Sequence, residues 1–327
     1  MALLHESVNY NKEGVQIMGL KITQKSISED GSIKYIFTTS EKNLVEGIYF
    51  RIPGKENFSD NIYHLCISSQ AGCAMGCTFC ATGYGGFFSQ LSAEEIIDQV
   101  DLIYNDLILN EIELQKTGFS VNLMGMGEAL MNYENIKDFC YLAPSKYDNL
   151  QRVCISTVGI TPRIRELAAI AKDVSILRLF VSIHSPYDQE RTSIMPITKK
   201  YSIESVLAAS QDFYDQTFFK VTLSYLLLEG VNNSTKHAED FAKLIAYKPG
   251  FVVQLLLYNE TPKIPFMRPS YESAVVFKEI LSSYGIETII QISKGIDIEG
   301  GCGQLVKKIN YNVLKRRKNI IAFQTKK

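Results

Sequence analysis

Seven short apolar runs, rich in β-branched and aromatic residues, alternate with stretches of helical periodicity from about residue 60 to residue 293. No other feature narrows the possible folds so far. The runs are IYHLCIS from Ile62, SVNLMG from Ser120, RVCIST from Arg152, LRLFVSIH from Leu177, KVTLSYLLL from Lys220, FVVQLLLY from Phe251 and TIIQIS from Thr288. Their near-continuous hydrophobicity suits parallel strands buried on both faces. Between them, Ser92 with Glu95 three residues later reads as a capping box, and Ile96, Val100, Ile103 and Leu107 mark one apolar helix face. Thr161 followed by Pro162 fits an N-cap with proline in the first turn. Further helical patterns start near Tyr133, Ile203, Thr235 and Tyr271. Strict alternation argues for one parallel α/β unit. Six strand-helix repeats are too few to close an eight-stranded barrel, so an open, partial (β/α)6 barrel is expected. In such folds chemistry collects at the C-terminal ends of the strands.

Residues before about 60 read differently. VQIMGLKIT, SIKYIFTTS and EGIYFRIP predict a small antiparallel β extension with a turn at Glu29-Asp30-Gly31-Ser32. The expected organisation is an extension over 1–59, a barrel with a C-terminal loop over 60–305, and a basic tail over 306–327 that carries Lys307, Lys308, Lys315, Arg316, Arg317, Lys318, Lys326 and Lys327. A chain that is 46% hydrophobic and 21% charged has material for a substantial core and too little charge for disorder. No run approaches the roughly 18 apolar residues that span a bilayer. The net charge of -1 does not advertise a polyanionic partner, which leaves the tail as the one basic stretch.

Cys73, Cys77 and Cys80 stand in the spacing C-x3-C-x2-C within AGCAMGCTFCATG, after the first predicted parallel strand. Three thiolates can each hold one iron of a four-iron cluster and leave the fourth iron open to a small molecule. The competing reading is structural zinc, but zinc ribbons pair two short knuckles, and here only Cys66 lies nearby. A disulfide framework fits poorly with seven cysteines, an odd number, and no legible secretory leader. An open iron needs a chelating ligand, and the amino acid end of S-adenosylmethionine (SAM) is the usual one. Gly125-Met126-Gly127-Glu128 offers backbone groups that a ligand can approach, and a carboxylate for its ammonium.

With these motifs in order, the chain resembles the radical SAM methyltransferases that modify adenosine in RNA, the RlmN and Cfr family. The resemblance covers roughly 35 to 305 and rests on CISSQAGCAMGCTFCATG, NLMGMGEALMNYENI, ISTVGITPRI, FVSIHSPYDQERTSIMPI, LEGVNNS and GIDIEGGCGQL. GEAL, SIHSPY and GIDI are more similar to the Cfr side. The resemblance implies a [4Fe-4S] cluster on Cys73, Cys77 and Cys80, and SAM used twice. It makes Cys302 the methyl-carrying cysteine and Cys66 the second catalytic cysteine. One SAM would methylate Cys302; a radical made from the second would take hydrogen from that methyl group, and the methylene carbon would then add to the adenine ring. Cys66 would help remove a proton and resolve the adduct by a disulfide with Cys302. Gly127, Glu128, Ser156, Ser182, His184 and Asn259 match SAM-binding positions, and Asp297 and Glu299 are further candidates to line the mouth. Cys140 and Cys154 read as core.

Typical members carry a helical domain before the extension, whereas this chain begins almost at the extension. It has Gly300-Gly301 where two alanines are usual, and Gln291-Ile292-Ser293-Lys294 where an arginine-containing segment is common. Three readings follow: C2 or C8 methylation of adenosine in ribosomal or transfer RNA, C-methylation or alkylation of a small molecule or nucleotide, and non-catalytic metal binding. The first is preferred, with flavodoxin or ferredoxin as electron donor. A cytoplasmic location, away from membranes, is expected from chemistry that needs reduced thiols.

Overall fold

The computed structural model describes residues 19–53, 62–110, 112, 114–261, 264–301 and 303–305. Cys302 and the basic tail therefore lie outside the described residues, as does the expected boundary at 59/60. Ten strands form one sheet. Three come first, β1 (Lys21–Ile27), β2 (Ile33–Thr38) and β3 (Leu44–Ile52). The others are β4 (Ile62–Cys66), β7 (Phe119–Leu123), β8 (Leu150–Thr157), β9 (Leu177–Ser182), β10 (Val221–Leu227), β11 (Phe251–Leu257) and β12 (Thr288–Gln291), in that spatial order. A separate hairpin pairs β5 (Gln70–Gly72) with β6 (Phe87–Gln90).

From β4 to β12 every neighbouring pair is parallel, and all seven strands begin within two residues of the predicted runs. The extension is antiparallel as expected, but it is no separate sheet. β3 pairs antiparallel with β4, so the extension continues the parallel sheet at its first edge. The part of the run from Val15 to Met18 lies outside the described residues, and the first described strand starts at Lys21.

The helices follow the sequence closely. α2 (Ala93–Leu109) opens with the Ser92–Glu95 capping box, and Ile96, Val100, Ile103 and Leu107 are all buried. α4 (Tyr133–Lys146), α7 (Ile203–Thr217), α8 (Thr235–Ile245) and α9 (Tyr271–Ser283) start where the periodicity places them. In α5 (Thr161–Asp173) the N-cap is Ile160, whose carbonyl accepts from the Ile164 amide at 3.0 Å, so Thr161 is already helical and Pro162 follows it inside the first turn. Three short helices were not legible: α1 (Ala81–Gly85), α3 (Leu114–Thr117) and α6 (Asp188–Ile194). Among the described residues no helix is long and apolar enough to cross a membrane.

The parallel strands are not equally buried on both faces. Leu65, Val121, Val153, Ile155, Leu179, Val181, Leu223, Tyr225, Val253 and Leu255 point to one side, are closed to solvent, and pack in a single core with the helices. Each such aliphatic side chain contributes about 1.5–3 kcal/mol. The alternate rows carry Ser156, Phe180, Thr222 and Val252, and one step on Ser182, Ser224 and Gln254, placed side by side by the strand register. Along β9 and β11 these alternate positions are half-exposed. A curved, open sheet covers its convex face with helices and leaves its concave face for a ligand. Smaller and polar side chains alternate with the aliphatic ones for that reason. Cys140 lies in the core as expected. Cys154 is buried too, but it stands in the concave row between Asn122 and Arg178.

Candidate active site

The thiol loop is strapped at its base. The Cys73 amide donates to the Gly86 carbonyl at 2.9 Å, and a Cβ on Gly72 would lie 2.0 Å from that carbonyl, so only glycine fits there. The Thr78 amide donates to the Ile194 carbonyl at 2.9 Å, joining the loop to the end of α6. Cys77 and Cys80 pack against a small apolar cluster of Phe79, Ile194, Met195, Leu226, Leu228, Tyr258 and Ile264. Burial pushes the Cys73 thiol up to about 12, with the nearby Cys80 and Glu128 adding to it. Burial likewise raises the Cys77 thiol well above its ordinary range, with Cys80, Cys73 and Glu128 raising it further and Arg191 opposing them. Three thiols that feel one another's charge in an apolar setting are a soft donor set, suited to iron-sulfur or zinc and not to hard cations. The donor set thus fits a cluster.

The loop after β7 is laced to the one after β4. The Gly125 amide donates to the Ile67 carbonyl and the Ser69 amide to the Met126 carbonyl, both at 2.9 Å, while the Glu128 amide donates to Gln70 Oε1 at 2.8 Å. A Cβ on Gly125 would lie 2.6 Å from the Ile67 carbonyl oxygen, and one on Gly127, at φ +103°, 2.6 Å from Gln70 Cβ. These glycines let two loops approach each other, where the sequence suggested approach by a ligand. Glu128 is buried, its Oε1 accepting from the Leu130 amide at 3.1 Å and its Oε2 from the Val158 amide at 2.8 Å. Burial pushes its carboxyl up to about 7 against those hydrogen bonds.

Ser156 and Ser182 stand half-exposed in the concave rows, near the C-terminal ends of β8 and β9. His184 follows β9 with φ +61°, is buried, and accepts from the Leu226 amide through Nδ1 at 2.9 Å. Burial, with Arg191 nearby, holds its pKa down at about 3, so the ring is neutral with its proton on Nε2. Its edge meets Phe79 of the thiol loop at 5.3 Å between centroids. Asn259, after β11, accepts from Arg268 at 2.7 Å.

The C-terminal segment closes over this group. The Ala81 amide donates to the Gly303 carbonyl at 2.8 Å and Thr82 Oγ1 to the Leu305 carbonyl at 3.3 Å, tying residues on the far side of Cys302 to the thiol loop. Gln304 accepts from the Gly301 amide at 3.1 Å and donates to the Glu260 carbonyl at 3.0 Å. A Cβ on Gly301 would lie 2.5 Å from Asn259 Nδ2, and one on Gly300 2.4 Å from Ile48 Cδ1. Ile48 is the cross-strand partner of Cys66, which ends β4 and is buried. Gly300 and Cys66 thus share one neighbour. The six described cysteines form no disulfide with one another. Asp297 is engaged elsewhere, accepting from Ser28 Oγ at 2.5 Å and the Glu29 amide at 3.1 Å, and the Glu299 carbonyl accepts from Lys34 at 3.1 Å. Both tie the C-terminal loop to the extension. Arg191, contained in the FVSIHSPYDQERTSIMPI segment but assigned no role there, lies fully buried on the helix whose end binds the thiol loop.

The chain matches the model of the Radical SAM superfamily over residues 67–244. It is 36% identical over 280 residues to the probable dual-specificity RNA methyltransferase RlmN of Aquifex aeolicus, covering 84% of this chain and 76% of that one. It is 38% identical over 298 residues to the corresponding Thermotoga maritima protein, covering 90% and 81%. Among solved structures it is similar to a radical SAM methyltransferase from Sphaerobacter thermophilus, with a TM-score of 0.79, 33% identity, and coverage of 88% of this chain and 81% of that one.

Proposed function

We propose, since this chain belongs to the radical SAM superfamily and within it to the RlmN family of RNA methyltransferases, that it methylates an sp2 carbon, C2 or C8, of adenosine in ribosomal or transfer RNA. Cys73, Cys77 and Cys80 would hold the [4Fe-4S] cluster, and Gly127, Glu128, Ser156, Ser182, His184 and Asn259 would surround SAM. When bound, these groups supply a reducing electron, a hydrogen-abstracting radical and the methyl group. The remaining chemistry falls to two thiols of the chain. Cys302 takes the methyl group on sulfur, and after hydrogen loss that carbon bonds to the adenine ring. Cys66 assists removal of the ring proton, and its sulfur then attacks the sulfur of Cys302. The adduct's odd electron would return to the oxidised cluster, the C–S bond then breaks with its electron pair left on the methylene carbon, which takes up a proton, and an S–S bond forms as the methylated base is released.

The observation that carries this reading is the convergence around Ile48 and the thiol loop. Cys66 and Gly300 both adjoin Ile48, and Gly303 is hydrogen-bonded to Ala81, the residue after Cys80. Gly300 thus shares a neighbour with Cys66, and Gly303 binds the residue after Cys80, which supports a working position for Cys302 between them. We assign 60–305 as the catalytic unit, with 1–59 as an extension that completes its sheet and 306–327 as a basic tail for the RNA backbone. The electron donor is proposed to be a flavodoxin or ferredoxin, and the setting the cytoplasm.

The test is anaerobic incubation of the reconstituted protein with methyl-labelled SAM, dithionite and total RNA, then mass spectrometry of RNA nucleosides and of the Cys302 peptide. Methyladenosine with methylated Cys302 is expected, and the nucleoside identifies the carbon. Methylated Cys302 and 5′-deoxyadenosine with unmodified RNA would replace RNA by a small molecule as substrate.

A further inference from the structure

Arg191 has no part in the reaction as written, yet among the described residues it is the largest side chain wholly withdrawn from solvent, at 0% exposure. Its Nε donates to the Ile183 carbonyl at 2.9 Å; Nη1 donates to Thr198 Oγ1 at 2.9 Å and the Tyr201 carbonyl at 3.5 Å. Nη2 donates to the Val158 carbonyl at 2.7 Å and the Ser182 carbonyl at 2.9 Å. None of these acceptors is a carboxylate. Burial lowers the guanidinium to about 10, with Cys77 and Asp188 opposing, so it remains a cation at neutral pH. A buried cation solvated by neutral oxygens is costly unless a negative group lies within reach.

The surroundings point to one. Arg191 sits on α6, whose end accepts the Thr78 amide at Ile194, and Ile194 and Met195 pack in the apolar cluster against Cys77 and Cys80. A [4Fe-4S]2+ core on three thiolates carries a net charge of about -1, and about -2 after one electron is added. A fixed cation in a site that salt does not screen favours the more negative state.

We propose that Arg191 is the built-in counter-charge of the cluster held by Cys73, Cys77 and Cys80, and that it raises the cluster's reduction potential. It is a positioning residue. The inference rests on the cofactor reading and not on the identity of the substrate.

The test is a dithionite titration of the reconstituted protein, without SAM or RNA, followed by the EPR signal of the reduced cluster. Arg191→Gln removes the charge. Thr198→Asp keeps the arginine and its bonds but sets a carboxylate at Nη1, cancelling the charge without emptying the site. Arg191→Lys keeps the charge with fewer bonds. At the wild-type midpoint, Arg191→Gln and Thr198→Asp are expected to show at least a tenfold higher ratio of oxidised to reduced cluster, about 59 mV for one electron. Arg191→Lys is expected to titrate near wild type while melting lower. Arg191→Gln and Thr198→Asp titrating with wild type would reduce Arg191 to a structural tie and overturn the inference. If Arg191→Gln does not fold, Thr198→Asp decides alone. A wild-type chain that assembles no EPR-active cluster would overturn the cofactor reading, and this inference with it.

Discussion

Glu128 and Arg191 grip one residue from opposite sides: the Val158 amide donates to Glu128 Oε2 at 2.8 Å, and the Val158 carbonyl accepts from Arg191 Nη2 at 2.7 Å. A buried acidic and a buried basic side chain are thus set on either side of the turn that follows β8. The same turn leads through Gly159 into α5, so the sheet's C-terminal edge and the charges around the thiol loop are positioned by one piece of backbone.

Gly127→Ala is expected to cost about 2 kcal/mol or more, because φ is +103° and the new Cβ would stand 2.6 Å from Gln70 Cβ and 2.8 Å from Ser69 Oγ. Gly85→Ala, with nothing within 4 Å of the new methyl, is expected to stay within about 0.5 kcal/mol of wild type. Thermal melts compare the two, and calorimetric titration with SAM should show at least tenfold weaker binding for Gly127→Ala alone.

Ile48 fills the space that an alanine at 300 would need, and Gly300→Ala by itself is expected to destabilise by about 1–3 kcal/mol through overpacking. Ile48→Val removes the Cδ1 atom concerned and costs about 0.5–1.5 kcal/mol. The double variant should be more stable than the sum of the two, with a coupling of about 1 kcal/mol in a denaturant double-mutant cycle. Strict additivity would show that Ile48 does not set the residue at 300.

Asp98 on α2 is raised to about 6 from 3.8, chiefly by burial and next by Asp101, and its Oδ2 has no hydrogen-bond partner among the described residues. The folded chain therefore holds a proton that the unfolded chain has released between pH 3.8 and about 6, and stability falls as pH rises through that window. Asp98→Asn should abolish that fall and be about 1–2 kcal/mol more stable at pH 7, after allowance for solvent screening. Urea melts of both proteins from pH 4 to pH 8 measure the difference, and parallel curves would count against a raised carboxyl.

Cys66→Ala is expected to leave methylation of Cys302 and formation of 5′-deoxyadenosine in place while product methyladenosine falls at least a hundredfold. A covalent protein–RNA species should accumulate, visible as a ribonuclease-sensitive band on denaturing gels. Cys302→Ala should give neither adduct nor product. Normal turnover by Cys66→Ala would remove Cys66 from the reaction.

Local patterns were legible wherever the partners are near in sequence. The Ser92–Glu95 capping box lies within a single turn, and it formed as read. Thr161 illustrates the margin: with Pro162 next to it, either it or Ile160 satisfies the first turn, and the carbonyl of Ile160 took the role. The glycines of Gly125-Met126-Gly127 were visible, but their reason was not, because the atoms they make room for belong to residues 67–70, over fifty positions away. Burial on both strand faces was inferred from hydrophobic runs, yet residues such as Phe180, Val252 and Leu256 lie in the concave rows that remain partly open.

By itself the sequence determined the strand-helix alternation, the antiparallel extension and the three-thiol loop, because each is a matter of composition and spacing along the chain, and it carried the motifs on which the resemblance to the family rests. Only the tertiary structure decided that Ile48 neighbours both Cys66 and Gly300, that Gly303 binds Ala81 beside the thiol loop, and that Arg191 is fully buried. Those relations join residues between 48 and 303 through the strand order of one sheet and the loops at its edge. Strand order depends on pairing between residues far apart along the chain, and no window of neighbouring residues contains it.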